Sequence, residues 1–214
     1  MKKLLLASRG TYVTDGKYEI FGKPRNRVKW AYITTAGKSV PTRNYIIKHE
    51  QRMRELGWDF EEIDIEGKTP DELRNLLKNK DAINMVGGNS FFLIKCIWES
   101  GFDIVLKEFL DQGGVYCGSS AGSYVCCPTI ETAGWKESSK RFDRHGVTDF
   151  SGMNLVPFII MAHCTPEIIS IIKPKIDAAK YPIKLLNDQQ AILVIDDKIE
   201  LLEDPNIKPK DFGG

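Results

Sequence analysis

Short apolar runs of strand length alternate with helix-patterned stretches along nearly the whole chain, and few architectures accept that order. Strands are predicted at Lys3 to Ser8, Val28 to Thr34, Phe60 to Ile65, Ala82 to Val86 and in the run ending at Cys117. Others follow at Ile159 to Met161, Ile183 to Leu186, Ala191 to Ile195 and Ile199 to Leu202, with Asp196-Asp197-Lys198 turning a terminal hairpin. Helices are predicted from Thr42 to Leu56, from the capping box Thr69-Pro70-Asp71-Glu72 to about Lys78, and over Phe91 to Glu99, Ile104 to Gln112 and Pro166 to Lys180. Strands this apolar are buried on both faces. The expected fold is therefore α/β, a mostly parallel sheet with helices on both faces. One domain over residues 1–204 is expected, followed by a polar, loosely held tail over 205–214. The weakly patterned segment from Thr132 to Ser151 reads as a loop or flap. In such sheets, function collects at the carboxyl ends of the strands.

Charge narrows the partners. Lys and Arg number 30 against 29 Asp and Glu, a balance that points to neither nucleic acid nor an anionic membrane surface. No apolar run approaches a membrane span. The start, Met1-Lys2-Lys3-Leu4-Leu5-Leu6-Ala7-Ser8, resembles a signal peptide only superficially: its apolar core is short, and Arg9 and Gly10 interrupt it. A buried first strand is the better reading. The five cysteines are odd in number and show no zinc-site spacing, which fits free thiols in a reducing cytoplasm. With no His-Glu-x-x-His pattern either, neither metal nor cofactor is expected.

The run Gly113-Gly114-Val115-Tyr116-Cys117 leads straight into Gly118-Ser119-Ser120-Ala121-Gly122, a G-x-S-x-G elbow at a strand end. A strand enters, the chain turns sharply and a helix leaves, so the serine at the tip is exposed on strained backbone. Gly118 and Gly122 let neighbouring elements close in. Ser120 is the predicted nucleophile, and the Ala121 amide points to where a tetrahedral oxyanion would form.

A serine hydroxyl needs a base, and histidine is the usual one because the residue type titrates near neutrality. The candidates are His49, His145 and His163. His49 lies among Lys48, Glu50 and Arg52 and reads as a solvated helix face; His145, in Arg144-His145-Gly146, reads as a surface loop residue. His163 follows Phe158-Ile159-Ile160-Met161-Ala162 and precedes the helix start Thr165-Pro166-Glu167, which puts it at a strand's carboxyl end. A hydrogen-bonded core histidine is the bland alternative; with Ser120 available, the base is preferred. The turn Gly87-Gly88-Asn89-Ser90 lacks the lysine-serine pair of a phosphate loop. Gly88 is instead expected to offer a second oxyanion N–H, with Asn89 and Ser90 beside it touching substrate.

The Gly-Gly-Asn-Ser turn, the Gly-Ser-Ser-Ala-Gly elbow followed by Pro128-Thr129-Ile130, and the strand ending in His163 together resemble the peptidase E (dipeptidase E, aspartyl dipeptidase) family of serine peptidases, to which cyanophycinase is related. The resemblance runs from Leu4 to about Leu202. It implies a class I glutamine amidotransferase-like, flavodoxin-like three-layer sandwich with serine in place of cysteine. It also implies Ser120 as nucleophile, His163 as base, Gly88 and Ala121 as oxyanion donors, and short peptides as substrates. The family's third triad member is a carboxylate. Of its two proposed locations, one holds Trp135 here and the other falls at Leu185-Leu186-Asn187-Asp188. Asp188 is preferred because it ends a strand that returns beside His163, where a rigid orientation is available; Glu137, Asp149 and Asp143 compete from the segment after the elbow. Recognition of an acidic N-terminal residue would call for a cation. The helix after His163 contains no arginine, and Arg141 and Arg144 are the candidates in the flap, so aspartyl specificity stays open. An esterase or amidase acting on another small acyl group, or a silent ligand-binding homologue, are the alternatives, and a homo-oligomer is possible.

Overall fold

Period-two burial builds the first strand. In β1 (Lys3–Ala7), Leu4 and Leu6 pack into one apolar cluster while Leu5 and Ala7 pack into another on the opposite face. The same division runs through β2 (Lys29–Ile33), where Ala31 and Ile33 face the first cluster and Trp30 and Tyr32 the second. A sheet buried on both faces follows directly. The coordinates are a computed structural model, which describes residues 1–16, 19–136 and 142–207.

The chain continues through β3 (Asp59–Ile63), β4 (Ala82–Met85), β5 (Val115–Ser119), β6 (Ile159–Met161), β7 (Ile183–Leu185), β8 (Gln190–Ile195) and β9 (Lys198–Glu203). The helices are α1 (Gly10–Asp15), α2 (Asn44–Glu55), α3 (Pro70–Leu77), α4 (Ser90–Ser100), α5 (Phe102–Asp111), α6 (Ala121–Tyr124) and α7 (Pro166–Asp177). Seven strands form the main sheet in the order β3-β2-β4-β5-β1-β8-β9. β1 to β5 run parallel to one another, while β8 lies antiparallel to β1 and closes a hairpin with β9. Asp196 takes the positive φ of 52° that the hairpin turn requires. α1 and α2 contribute to the cluster under one face, α3 to α6 to the cluster under the other. The architecture is the expected α/β sandwich.

Local signals act where the sequence places them. Thr69 accepts from the Glu72 N–H and the Glu72 carboxylate accepts from the Thr69 N–H, a complete capping box worth about 1 kcal/mol. Gly101, at φ 67°, ends α4 and starts α5. Two features depart from the expectation. α1 is a short helix that no periodic pattern announced. β6 and β7 pair with one another in parallel, but in a two-stranded sheet of their own, not in the main sheet. β7 is followed at once by β8, which returns the chain to β1. No helix among the described residues is long and apolar enough to cross a membrane.

The described part of the 132–151 segment is fastened rather than loose. The Ile130 N–H donates to the Phe150 carbonyl at 2.8 Å, and the Arg144 guanidinium lies 5.5 and 5.3 Å from the rings of Phe91 and Phe150. The beginning of the tail is held as well: Ile207 is buried, and its carbonyl accepts from Gln189 Nε2.

Candidate active site

The carboxyl ends of β4, β5 and β1 converge with the residues after β6 and those before β8 on one cleft of about 670 Å³. Its lining includes Gly87, Gly88, Ser120, His163 and Asp188.

β5 delivers Ser120. Its backbone stands at φ 50°, ψ −109°, outside the ordinary regions for a residue with a Cβ. Two things hold it there. Its N–H donates to the Ala7 carbonyl at 3.1 Å, and its carbonyl accepts from the Ser123 and Tyr124 N–H groups at 2.9 and 3.0 Å. The glycines supply the room: a Cβ on Gly118 would collide with the Gly122 carbonyl, and one on Gly122 with the Met85 carbonyl. Gly87 was not singled out from sequence, yet a Cβ there would stand 3.1 Å from the Ser120 Cβ. As the first residue of α6, Ala121 has no intrahelical acceptor for its N–H. α6 is a single turn, so any help to an anion comes from that N–H rather than from a helix dipole. Gly88 sits at φ 146°, and a Cβ on it would strike the Ala36 carbonyl; only glycine fits.

His163 follows β6 at a positive φ of 57°. Its N–H donates to Ser8 Oγ at 2.8 Å, and its Nε2 lies 3.2 Å from Ser120 Oγ. On the far side, Nδ1 lies 2.5 Å from Asp188 Oδ1. Ser120, His163 and Asp188 thus form one hydrogen-bonded chain, although they come from different elements. Asp188 also accepts from Arg9 Nη1 at 2.8 Å on its other oxygen, Oδ2. Burial pushes the Asp188 carboxyl up, but hydrogen bonding and charge from His163 and then Arg9 outweigh it and hold the group at about 2. Lys136 ties down the same corner, donating from Nζ to the carbonyls of Ala162 at 2.6 Å and His163 at 3.4 Å. Burial lowers its ammonium below the usual lysine range.

The other expected site residues divide. Ser90 lines the cleft. Asn89 does not act on that surface, which corrects the substrate-contact reading: it is fully buried and caps α4, its Oδ1 accepting from the N–H groups of Phe91 and Phe92. Its Nδ2 donates to Ser39 Oγ and the Asp143 carbonyl, so its polar atoms are already engaged. His49 is no solvated residue. It is 6% exposed, lines the cleft and is depressed to about 4, by burial first and then by the Arg9 charge. Its spacing was the missed signal, because Ile46, His49 and Met53 fall on one helical stripe. His145 packs against Phe92, with Nε2 2.5 Å from Ser39 Oγ. Asp149 turns back on Ser151, accepting from both its N–H and its hydroxyl, and Asp143 accepts from the His145 N–H. Glu137 and Arg141 lie outside the described residues. Ser8 and Arg9, which touch two of the three chain members, went unremarked as site residues because β1 looked purely structural.

The profile of peptidase family S51 matches residues 4–202. The chain belongs to peptidase family S51. This S51 chain is 27% identical over 197 residues to an uncharacterized peptidase of Pasteurella multocida (strain Pm70), covering 91% of this chain and 94% of that one. It is 32% identical over 174 residues to a peptidase E of Nostoc sp. (strain PCC 7120), covering 78% of this chain and 68% of the other. Among solved structures, a protein assigned to peptidase E from Listeria monocytogenes EGD-e superposes with a TM-score of 0.76 at 26% identity, over 95% of this chain and 98% of that one. Membership in S51 makes the chain a peptidase, a hydrolase of the serine-peptidase class.

Proposed function

We propose that this S51 peptidase cleaves short peptides, dipeptides foremost, through an acyl-enzyme on Ser120. The observation that carries the reading is the unbroken chain from Ser120 Oγ through the His163 imidazole to Asp188 at the cleft. His163 Nε2 takes the hydroxyl proton as Oγ attacks the peptide carbonyl carbon. Asp188, ionised well below neutrality, receives the Nδ1–H hydrogen bond, fixes the tautomer and stabilises the imidazolium that forms. The carbonyl oxygen, now anionic, receives hydrogen bonds from the N–H groups of Gly88 and Ala121. The imidazolium returns the proton to the leaving amine, the C–N bond breaks, and water activated by the same imidazole hydrolyses the ester. No step asks for a metal. Residues 1–204 act as the catalytic unit, and five buried thiols suit a cytoplasmic setting.

The test pairs a fluorophosphonate probe with a panel of dipeptides, tripeptides and matched esters, run with and without exhaustive chelation. The expected outcome is one covalent adduct, mapped to Ser120, and peptide turnover unchanged by the chelator. Hydrolysis that disappears on chelation, with no adduct formed, overturns the mechanism. Turnover of esters but not of any peptide overturns the substrate class.

A further inference from the structure

Arg9 leaves the end of β1 in extended conformation, immediately before α1, and its guanidinium enters the cleft on the side of Asp188 away from His163. The pair is sheltered, with the Arg9 and Asp188 side chains 13% and 20% exposed. We propose that Arg9 is a positioning residue for the reaction, locking the orientation of Asp188 and sharing the negative charge that the carboxylate presents to His163. The inference rests on the serine mechanism above and adds a member that works through the carboxylate.

The geometry supplies the reason. The terminal torsion of an aspartate is broad, so one hydrogen bond at Oδ1 leaves the carboxylate plane free to swing. Here Oδ1 meets His163 Nδ1 at 2.5 Å, with Ser8 Oγ 3.3 Å away, while Oδ2 receives Arg9 Nη1 at 2.8 Å. Partners on both oxygens define the plane. Ser8 and Arg9 are adjacent at the end of β1, and Ser8 Oγ also accepts the His163 N–H. One dipeptide therefore sets the histidine backbone and the carboxylate together. The next residue is constrained as well: a Cβ on Gly10 would collide with the His49 ring, so glycine is what lets that buried imidazole pack against the start of α1.

Arg9 also changes the electrostatics. A lone carboxylate stabilises the imidazolium strongly, whereas a carboxylate shared with a guanidinium presents far less net charge. The groups facing Asp188 are Ser8 and Arg9 just after β1, His163 and Cys164 after β6 and Lys136 after the 131–134 turn, and His49 from α2 feels the Arg9 charge. Removing Arg9 takes away the cation bonded to the carboxylate, and protonation of the acid–base pair becomes more favourable. The acid limb of kcat/KM then moves to higher pH.

The experiment compares Arg9→Met and Arg9→Lys with wild type, each also made in the Asp188→Asn background, using a peptide substrate from pH 4 to 9. Arg9→Met is expected to lower kcat between about tenfold and a hundredfold, with KM within about twofold, as slight misplacement of reacting groups does. Its acid limb should move to higher pH, the direction expected when a nearby cation is removed. Arg9→Lys keeps the charge but loses the planar fork, so kcat falls while the limb stays in place. In the Asp188→Asn background neither change costs anything further. A wild-type kcat and pH profile in Arg9→Met overturns the proposal, as does a loss confined to KM, which would make Arg9 a substrate ligand, or the same fold-loss in both backgrounds. Thermal melts check folding; if Arg9→Met does not fold, the Arg9→Lys profile and its double mutant decide by the same criteria. Ser120→Ala run in parallel separates the two ideas: if it remains active the serine mechanism is wrong, whereas if it is dead and the Arg9 variants are normal only the positioning role falls.

Discussion

Peptide turnover falls by on the order of a millionfold when Ser120 is replaced by alanine, and fluorophosphonate labelling disappears with it, if Ser120 is the nucleophile. Ser119→Ala keeps most of its activity. The difference is geometric. Ser120 Oγ is 3.2 Å from His163 Nε2, whereas Ser119 is the last residue of β5, buried to 2% exposure and in register with Ala7. Removing Oγ leaves the N–H groups of Gly88 and Ala121 and the cleft intact but gives the imidazole nothing to deprotonate. Steady-state rates on both variants, with circular dichroism to establish folding, provide the check. Equal losses in two folded proteins would move the nucleophile away from position 120.

Asp188→Asn is expected to lower kcat by about ten thousandfold, because an amide favours the wrong imidazole tautomer. The same change also acts on stability. Arg9 loses its anionic partner in a sheltered site, at a cost of about 1–3 kcal/mol near neutral pH. The pH dependence has a definite sign. The native Asp188 carboxyl lies at about 2, below the ordinary aspartate value near 4, so its contribution is fully present above pH 4 and is lost as pH falls through 2. Denaturation midpoints of wild type and Asp188→Asn should therefore differ at pH 7 and converge toward pH 2. A constant gap across that window would mean that the asparagine disturbs packing instead.

Much of this was readable beforehand, and the reasons are physical. Strand length, alternation and capping are local properties, so β1 to β9 and the box at Thr69 could be placed from neighbours in sequence. The elbow was legible because its glycines are demanded by contacts within a few residues and with the adjacent strand. The place of Asp188 beside His163 was reached by topology, although the strand before it belongs to a small sheet of β6 and β7 rather than the main one; residues of such short strands do not declare which sheet they join. The clamp by Ser8 and Arg9 depends on contacts 155 to 180 residues apart along the chain, for which no local pattern exists. Asn89 looked like a ligand because asparagine in a glycine turn serves equally as a helix cap. His49 was masked by charged neighbours that point away from the stripe it occupies.

The backbone at Ser120 carries a further consequence. A side chain at φ 50°, ψ −109° is held against its own preference, at a cost of about 1–3 kcal/mol. Glycine would occupy the same angles at ease, and its greater freedom in the unfolded chain would take back only about 0.5–1 kcal/mol. On the proposed serine mechanism, durability and turnover are therefore opposed at a single codon. A laboratory selection for heat resistance alone would drift toward glycine at 120, and the survivors would be sturdier proteins that cut nothing.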